Sequence, residues 1–224
     1  MRDPRRFWDR WADRYARMPV PDEAAYRAKL AATQAWLTPD AELFEFGCGT
    51  GSTAIAHAPH VAHVHAMDVS PRMLDIARRK AASAGVANVT FAQGDILRDA
   101  PDRRFDMVLG LSILHLLPDR RAGIDGAAAL LKPGGLFVTS TVCLADMPPW
   151  VRLVAQAGSA VGVFPLLRAF PARDLVHDME AAGLTIVHHF QPGPRKALFL
   201  IAQARGAEAA IRRPDSLEAA QAGV

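Results

Sequence analysis

Leu43-Phe44-Glu45-Phe46-Gly47-Cys48-Gly49-Thr50-Gly51-Ser52 is the stretch of sequence that decides the fold. An apolar strand here runs directly into three glycines and then into a helical segment. Glycine is needed where the backbone turns sharply and where it approaches a ligand without a Cβ in between. The stretch therefore predicts a strand, a cofactor-binding turn and a helix, although a tight connection without a ligand would use the same glycines.

An acidic residue in the next predicted strand separates these two interpretations. Asp68 follows the apolar run Val64 to Met67 and lies about 20 residues beyond the glycines, the spacing at which nucleotide-binding folds recognise a ribose. Ser70 is the better N-cap for a helix beginning at Pro71, so Asp68 is expected to be free for a ligand. The pair of signals favours a nucleoside-binding site.

Short apolar runs alternate with amphipathic segments from Glu42 onward, which is typical of βαβ units and a mainly parallel sheet. We expect strands near residues 42–46, 63–67, 89–93, 105–110, 136–141, 184–190 and 197–202. Helices are expected near residues 51–58, 71–84, 119–131 and 172–182, with a turn at Lys132-Pro133-Gly134-Gly135.

Two further motifs follow in the sequence, Gly94-Asp95-Ile96 and the run Leu131 to Phe137. Together with the segment Glu45 to Gly51 and Asp68, they make the chain resemble class I S-adenosylmethionine-dependent methyltransferases over about residues 42–141. The resemblance implies an α/β fold with a Rossmann-like seven-stranded, mainly parallel sheet, helices on both faces and an antiparallel final strand. It also implies that S-adenosyl-L-methionine is the cofactor.

The resemblance assigns roles to individual residues around that cofactor. The turn of Gly47, Gly49 and Gly51 would face its methionine and ribose portions, with Glu45 organising the amino group or the loop. Asp68 would hold the ribose and Asp95 the adenine amino group. Apolar contacts would come from Val69, Met73, Ile96 and Leu111, although ordinary core packing explains Val69, Met73 and Ile96 equally well.

A dinucleotide-binding oxidoreductase is the rival class, because it too needs glycines after a strand and a later acid for the ribose. Ser52 stands where its fingerprint needs a third glycine. Gly94-Asp95 and the turn at residues 132–135 also have no necessary role in hydride transfer. The sequence therefore favours methyl transfer.

His115 is the candidate catalytic residue. It follows the fourth predicted strand, and ligands of open α/β sheets gather at the carboxyl ends of strands. A histidine side chain, which titrates near pH 6.5, can deprotonate an acceptor as the methyl group is attacked. Packing against neighbouring segments is the alternative role.

Residues outside the central domain suggest how the site is covered. Residues 1–40 are expected to form an N-terminal helical cap, residues 41–204 the α/β domain and residues 205–224 a flexible tail. Within the domain, residues 143–170 have apolar side chains at helical spacing and are interpreted as a lid. We expect aromatic side chains to help to close a dry pocket, namely Trp8, Trp11, Tyr15, Trp150 and Phe164.

Composition excludes several other classes. The 224 residues carry a formal charge of +3 with scattered arginines, which does not favour nucleic acid. Cys48 and Cys143 stand alone, so neither a disulfide nor a zinc site is expected and a reducing cytoplasm fits. The sequence shows no export signal and no apolar stretch long enough to span a bilayer.

Two local patterns are interpreted as coincidental. No metal site is assigned to His57, His60, His63 and His65, because they divide between a strand face and a helix end. The stretch Asp146 to Trp150 is similar to the acidic-Pro-Pro-aromatic signature of amino methyltransferases, but it follows the fifth strand instead of the fourth and has an additional Met147.

The sequence therefore predicts a methyltransferase for a small, apolar or aromatic acceptor. A phospholipid headgroup at a membrane surface is the alternative, because Arg152, Arg168 and Arg173 flank the apolar lid. A binding protein that keeps the cofactor fold without catalysis is a third hypothesis. The methylated atom and the oligomeric state stay open.

Overall fold

The structure is a computed structural model that describes residues 3–193 and 196–206, so the predicted tail lies almost wholly outside the described residues. Its centre is a seven-stranded sheet in the order β3-β2-β1-β4-β5-β7-β6. The strands are β1 (Glu42–Phe46), β2 (His63–Asp68), β3 (Val89–Gln93), β4 (Phe105–Leu111), β5 (Leu131–Thr141), β6 (Leu184–Phe190) and β7 (Leu198–Ala204).

The sheet is mainly parallel, as predicted. Strand β1 pairs in parallel with both β2 and β4, and β4 pairs in parallel with β5. Strand β7 runs antiparallel to β5 and β6, which confirms the expected direction of the final strand. The strand order changes direction at β1 and β4, so the carboxyl ends of these two strands flank the crevice where open α/β sheets bind ligands.

Seven helices surround the sheet in the described part of the chain. They are α1 (Pro4–Arg17), α2 (Glu23–Gln34), α3 (Ser52–His57), α4 (Pro71–Ser83), α5 (Arg120–Ala129), α6 (Pro149–Val161) and α7 (Ala172–Ala181). Side chains of Asp3, Asp22, Ser70 and Asp119 accept hydrogen bonds from backbone amides in the first turns of α1, α2, α4 and α5. These caps satisfy amides that a helix start leaves without partners.

Each face of the sheet has its own apolar core. On one face, Phe44, Phe105 and Phe137 pack with residues of α5 and α7, such as Ile124 and Leu175. A second set packs on the other face with α3 and α4: Leu43, Val64, Leu109, Ala54 and Leu74. Burial on both faces explains why the central strands are almost continuously apolar in sequence.

The predicted turn at Lys132-Pro133-Gly134-Gly135 is instead part of β5, which begins at Leu131 rather than near residue 136. Pairing with β4 shifts between Phe105 and Met107, so this segment is a bulge within the strand. A Cβ at Gly135 would lie 2.9 Å from the Lys132 carbonyl oxygen, which leaves no room for a side chain.

The segment between β5 and α7 contains the helix that its apolar spacing predicts, α6. Asp146, from the stretch that is similar to the amino methyltransferase signature, accepts a hydrogen bond from the Ala172 amide at the start of α7 over 2.7 Å. Its carboxylate therefore has a structural role.

No helix among the described residues is long and apolar enough to cross a membrane.

Candidate functional site

The glycine turn and the acid of β2 are in direct contact. The Gly49 amide donates a hydrogen bond to Oδ2 of Asp68 over 2.8 Å, and the Ser70 amide donates to Oδ1 over 2.9 Å. Ser70 also caps α4, as predicted, through its hydroxyl group and the Met73 amide. The sequence suggested that Asp68 is free for a ligand, whereas both of its oxygens already accept a backbone hydrogen bond. Each oxygen still keeps a lone pair for a further donor.

Gly49 and Gly51 are needed for different reasons, although both have positive φ angles, of 54° and 73°. A Cβ at Gly51 would lie 2.8 Å from the Cβ of Ala77 and 2.9 Å from the Phe91 ring. A Cβ at Gly49 would meet only Tyr15, at 3.9 Å, and would otherwise point into open space. Gly51 is thus required by helix packing, whereas Gly49 leaves its backbone open to a ligand.

A cavity of about 100 Å³ lies at the ends of β1, β2 and β4. The structure brings eight of the predicted residues into its lining: Gly47, Gly49, Asp68, Val69, Met73, Asp95, Ile96 and Leu111. Glu45, Gly51 and His115 are not part of that lining. The predicted cofactor residues therefore converge on one place in the fold.

Asp95 is held at the rim of this cavity by its own loop. Its Oδ1 accepts a hydrogen bond from the Leu97 amide over 3.0 Å, and its amide donates to Asp99 over 2.9 Å. The amide of the preceding Gly94 donates to the Asp68 carbonyl oxygen over 3.1 Å. These bonds fix Asp95 beside Asp68 and leave its Oδ2 available to a ligand.

Glu45 lies directly behind the glycine turn and is 3% exposed. Burial, reinforced by the nearby Asp68 charge, raises the pKa of its carboxyl group from 4.5 to about 8. Its Oε2 has no hydrogen-bond partner among the residues that the structure describes. A buried carboxyl without a partner is costly, and a cationic group placed nearby would stabilise its ionised form.

Helix α1 covers the cavity with Trp8 and Tyr15, two of the aromatic residues expected to close the site. Tyr15 is 45% exposed as a whole. Burial at its hydroxyl end, followed by the charges of Asp68 and Glu45, raises the pKa of that group. Trp11 lies outside the cavity lining.

Two polar contacts hold α1 on the start of α4. The Ser70 hydroxyl group donates to Asp9 over 2.7 Å, and the Arg72 side chain donates to Asp13 over 3.1 Å. Ser70 therefore connects α1 to Asp68, since its amide donates to that carboxylate. The position of the covering helix is coupled to the acid that faces the cavity.

The loop after β4 supplies lining residues that sequence reasoning missed. Ser112 has a φ of 56°, and its amide donates to the Ser140 carbonyl oxygen over 2.7 Å. A non-glycine residue in this region is uncommon and strained, and such residues cluster at functional sites. Ile113 follows and occupies the space beside Gly47, where a Cβ would lie 2.7 Å from it.

His115 lies in a short 3₁₀ helix, Leu114–Leu116, and is 9% exposed. Burial lowers the pKa of its side chain from 6.5 to about 4, so the ring is neutral at pH 7. Its Nδ1 has no hydrogen-bond partner in the described chain. Its neighbours Ile113 and Leu116 line the cavity, although the ring of His115 does not.

A larger cleft of about 960 Å³ shares five lining residues with the cavity: Trp8, Val69, Gly94, Asp95 and Leu116. It lies between the start of α1 and the end of α6, where Phe164 and Leu166 line it. The cavity alone is smaller than the ~300–1,000 Å³ typical of small-molecule sites, whereas cavity and cleft together exceed that range. A nucleoside and a second small molecule can thus share the combined space.

Trp150 does not close the site. It is 68% exposed and lines neither the cavity nor the cleft.

No group of three or more His, Cys, Asp or Glu residues within residues 3–193 and 196–206 is arranged to hold a metal ion.

Comparison with known proteins identifies the central segment. Residues 43–135 match the family described as "Methyltransferase domain". The chain is 35% identical over 104 residues to a ubiquinone biosynthesis O-methyltransferase from Xylella fastidiosa. That match covers 46% of this chain and 42% of the relative, so the chain spans less than half the length of the relative.

Solved structures share the fold over most of the chain. An N-methyltransferase from Bradyrhizobium japonicum, in complex with S-adenosylhomocysteine, superposes with a TM-score of 0.70 at 20% identity and covers 91% of this chain and 99% of its own. Magnesium protoporphyrin IX methyltransferase from Synechocystis, with bound S-adenosylhomocysteine, superposes with a TM-score of 0.69 at 21% identity and covers 89% and 97%.

Proposed function

We propose that this chain, whose residues 43–135 match the methyltransferase domain family, transfers the methyl group of S-adenosyl-L-methionine to a small molecule. One observation carries the proposal: Gly49, whose backbone faces open space, and Asp68 are hydrogen-bonded to each other at the wall of one cavity. A turn without a ligand-binding role would not need open space at Gly49.

The described residues fit an S-adenosyl nucleoside. Asp68 keeps acceptor capacity for the ribose hydroxyl groups, and Asp95 keeps one oxygen for the adenine amino group. Val69, Met73, Ile96 and Leu111 provide apolar walls for the ring, while Gly47 and Gly49 provide bare backbone. Gly51 supports the turn from behind, and the Glu45 carboxyl group, whose Oε2 has no partner among the described residues, suits the cationic amino acid end.

When bound, S-adenosylmethionine supplies a methyl group that is already activated on a sulfonium. The contribution of the chain is to align the acceptor and to exclude water, and holding reactants in a near-attack arrangement supplies roughly 7–11 kcal/mol. Trp8 and Tyr15 on α1 shield the cavity from solvent. Alignment therefore provides most of the rate enhancement.

His115 is proposed as the proton acceptor. Its ring is neutral at pH 7, its Nδ1 is unpaired among the described residues, and Ile113 and Leu116 of the same loop line the cavity. A pKa of about 4 makes it a weak base, so its contribution belongs at the low end of the range for general base catalysis.

The acceptor is proposed to be a small apolar or aromatic molecule. Ile113, Leu116, Leu117 and Phe164 make the walls next to the cofactor site predominantly apolar. The Xylella fastidiosa relative is named as an O-methyltransferase, which favours an oxygen atom as the acceptor.

We place the reaction in the cytoplasm, because both cysteines, Cys48 and Cys143, are free thiols.

A phospholipid headgroup is the second candidate acceptor. Arg5, Arg6, Arg10 and Arg98 line the cleft beside the cofactor cavity and can attract an anionic lipid. Asp3, Asp95 and Asp99 line the same cleft and reduce that attraction, which is why the small apolar acceptor is preferred.

Mass spectrometry of a metabolite and lipid panel tests both proposals. The protein is incubated with S-adenosylmethionine and the panel, and products that gain one methyl group are sought together with S-adenosylhomocysteine. Asp68→Asn is the matched inactive control. Methylation of a phenolic or other apolar metabolite supports the first proposal, methylation of a headgroup the second, and the absence of any methylated product contradicts both.

A further inference from the structure

Helix α6 turns its apolar stripe toward solvent. Trp150 and Leu153 are each 68% exposed, Val154 is 55% exposed and Val161 is 69% exposed. Their spacing of three, four and seven residues places all four on one side of the helix. A helix on a globular protein normally buries such a stripe, so this surface is built to be covered by something else.

Within residues 3–193 and 196–206, nothing covers this stripe. The side of α6 that packs inward is made of small residues: Ala155 is buried, and Gly158 lies under the Phe164 ring, where a Cβ would approach Phe164 within 2.2 Å. None of the four apolar residues of the stripe lines the cavity or the cleft. The stripe is therefore separate from the cofactor and acceptor walls.

Within the chain segment that carries the stripe, the charged side chains have one sign. Residues 149–171 contain Arg152 and Arg168 and no aspartate or glutamate. Across the cleft that the end of α6 borders, α1 begins with the exposed Arg5, Arg6 and Arg10, of which Arg5 and Arg6 are ion-paired with Asp9 and Asp3. The chain segment that carries the stripe is thus cationic, and Arg10 adds to that charge across the cleft.

We propose that α6 docks on an anionic lipid bilayer, with Trp150, Leu153, Val154 and Val161 at the boundary of headgroups and acyl chains. Tryptophan favours that depth, and arginines beside an interfacial helix attract anionic headgroups. Docking would place the cleft, which the end of α6 borders, next to the bilayer. In that position the cleft would give an apolar acceptor a route from the lipid to the cofactor cavity. This consequence, unlike the docking itself, rests on the proposed function.

Vesicle co-sedimentation tests the docking. The wild-type chain is expected to bind vesicles of phosphatidylcholine with phosphatidylglycerol and to bind pure phosphatidylcholine vesicles much less. The triple variant Trp150→Ser, Leu153→Ser, Val161→Ser should lose at least about tenfold in partitioning. Met18→Ser with Val20→Ser is the matched control, because these residues are also exposed, 54% and 44%, but lie between α1 and α2. The control should bind like the wild type.

Charge is tested separately with Arg152→Gln, which should lower binding about fivefold in low salt and have little effect in high salt. The docking proposal is wrong if the wild type ignores anionic vesicles, or if the stripe and control variants lose binding equally. It is also wrong if the stripe variant only abolishes self-association in gel filtration, since a second copy would then cover the stripe. S-adenosylhomocysteine binding, measured by calorimetry, should be unchanged in the stripe variant, so a failure of docking is distinguishable from a failure of the proposed function.

Discussion

Gly49 and Asp68 are joined by a 2.8 Å hydrogen bond, although 19 positions separate them in the sequence. The bond connects the turn after β1 to the end of β2 at the wall of the cavity. Ser70 extends the connection, because its amide donates to Asp68 and its hydroxyl group donates to Asp9 of α1. The backbone turn, Asp68 and the covering helix therefore form one hydrogen-bonded unit.

Alanine substitutions at Gly49 and Gly51 should separate ligand binding from folding. Gly49→Ala introduces strain at a positive φ, which costs ~1–2 kcal/mol of stability, and places a methyl group in the ligand space. We expect it to weaken S-adenosylhomocysteine binding at least about tenfold.

Gly51→Ala is the matched comparison, because it adds contacts of 2.8 Å with Ala77 and 2.9 Å with Phe91 to a similar backbone strain. It should lower the free energy of unfolding by about 1–3 kcal/mol more than Gly49→Ala does. Denaturant unfolding and calorimetry on both variants provide the check. Equal losses of stability with unchanged affinity would show that the open space at Gly49 is not a ligand site.

Glu45 should make the protein less stable as the pH rises. The folded chain keeps a proton on Glu45, with its pKa of about 8, that the unfolded chain loses near pH 4.5. The unfolding free energy contributed by this group therefore decreases between pH 4.5 and pH 8 and stays low above that range. Glu45→Gln should raise the stability above pH 8 by more than about 1 kcal/mol, relative to its effect at pH 4.5.

The same carboxyl group should release a proton when a cationic ligand binds beside it. Calorimetric heats of S-adenosylmethionine binding at pH 7 should depend on the ionisation enthalpy of the buffer, and Glu45→Gln should remove most of that dependence. A wild-type heat that is the same in every buffer would place the amino group of the ligand away from Glu45.

His57 should make the fold sensitive to acid. It is fully buried, neither ring nitrogen has a partner among residues 3–193 and 196–206, and burial lowers its pKa from 6.5 to about 4. Between pH 6.5 and pH 4, His57 is therefore protonated in the unfolded chain but not in the folded chain. As the pH falls through this range, this group lowers the free energy of unfolding by about 3 kcal/mol.

His57→Leu should consequently be more stable than the wild type at pH 5, by about 2 kcal/mol in excess of any difference at pH 8. His177→Leu, at an exposed position of α7 and not among the groups that act on His57, is the control for loss of a histidine. Urea unfolding at the two pH values measures both. If the two variants respond alike, His57 is not the source of the acid sensitivity.

His115→Ala tests the proposed proton acceptor. Loss of a general base should lower kcat by about 100-fold, the low end of the usual range, because the pKa of about 4 makes this ring a weak base. S-adenosylhomocysteine affinity should stay within about twofold of the wild type, since the ring does not line the cavity. Unchanged turnover with an unchanged pH profile would assign His115 to packing.

The sequence predicts the strands well because each is a short apolar run between turn residues, and the central strands, which are buried on both faces, give the most continuous runs. Strands β1, β3 and β6 have the predicted bounds. The bulge at the start of β5 could not be predicted, because Pro133, Gly134 and Gly135 are also typical of a turn. Leu131 and Leu136, on either side of these residues, pair with β4, and this pairing makes the segment part of the strand.

Site residues could be predicted where the local backbone conformation or the local sequence pattern requires a particular residue type. Gly49 and Asp68 carry such a signal, whereas Ser112 does not, because a positive φ at serine depends on the pairing of its loop with β5. The apolar stripe of α6 was likewise visible as a period in the sequence. Periodicity does not tell whether a stripe faces the site or the solvent, which is why the exposure of Trp150 required the structure.

Asp68→Asn provides the most direct test of the central claim that a sulfonium nucleoside binds between Gly49 and Asp68. Its control is Asp106→Asn, since Asp106 also accepts a backbone amide hydrogen bond over 2.8 Å, from Glu42, but lies outside the cavity. Thermal unfolding of both variants separates lost stability from lost binding.

Calorimetric titration of S-adenosylhomocysteine into the wild type and these two variants is the deciding measurement. The wild type and Asp106→Asn should bind with similar affinity, and Asp68→Asn should bind about 10–100-fold more weakly, the cost of losing hydrogen bonds to a charged group. Undetectable binding to the wild type, or equal affinity in all three proteins, would contradict the account.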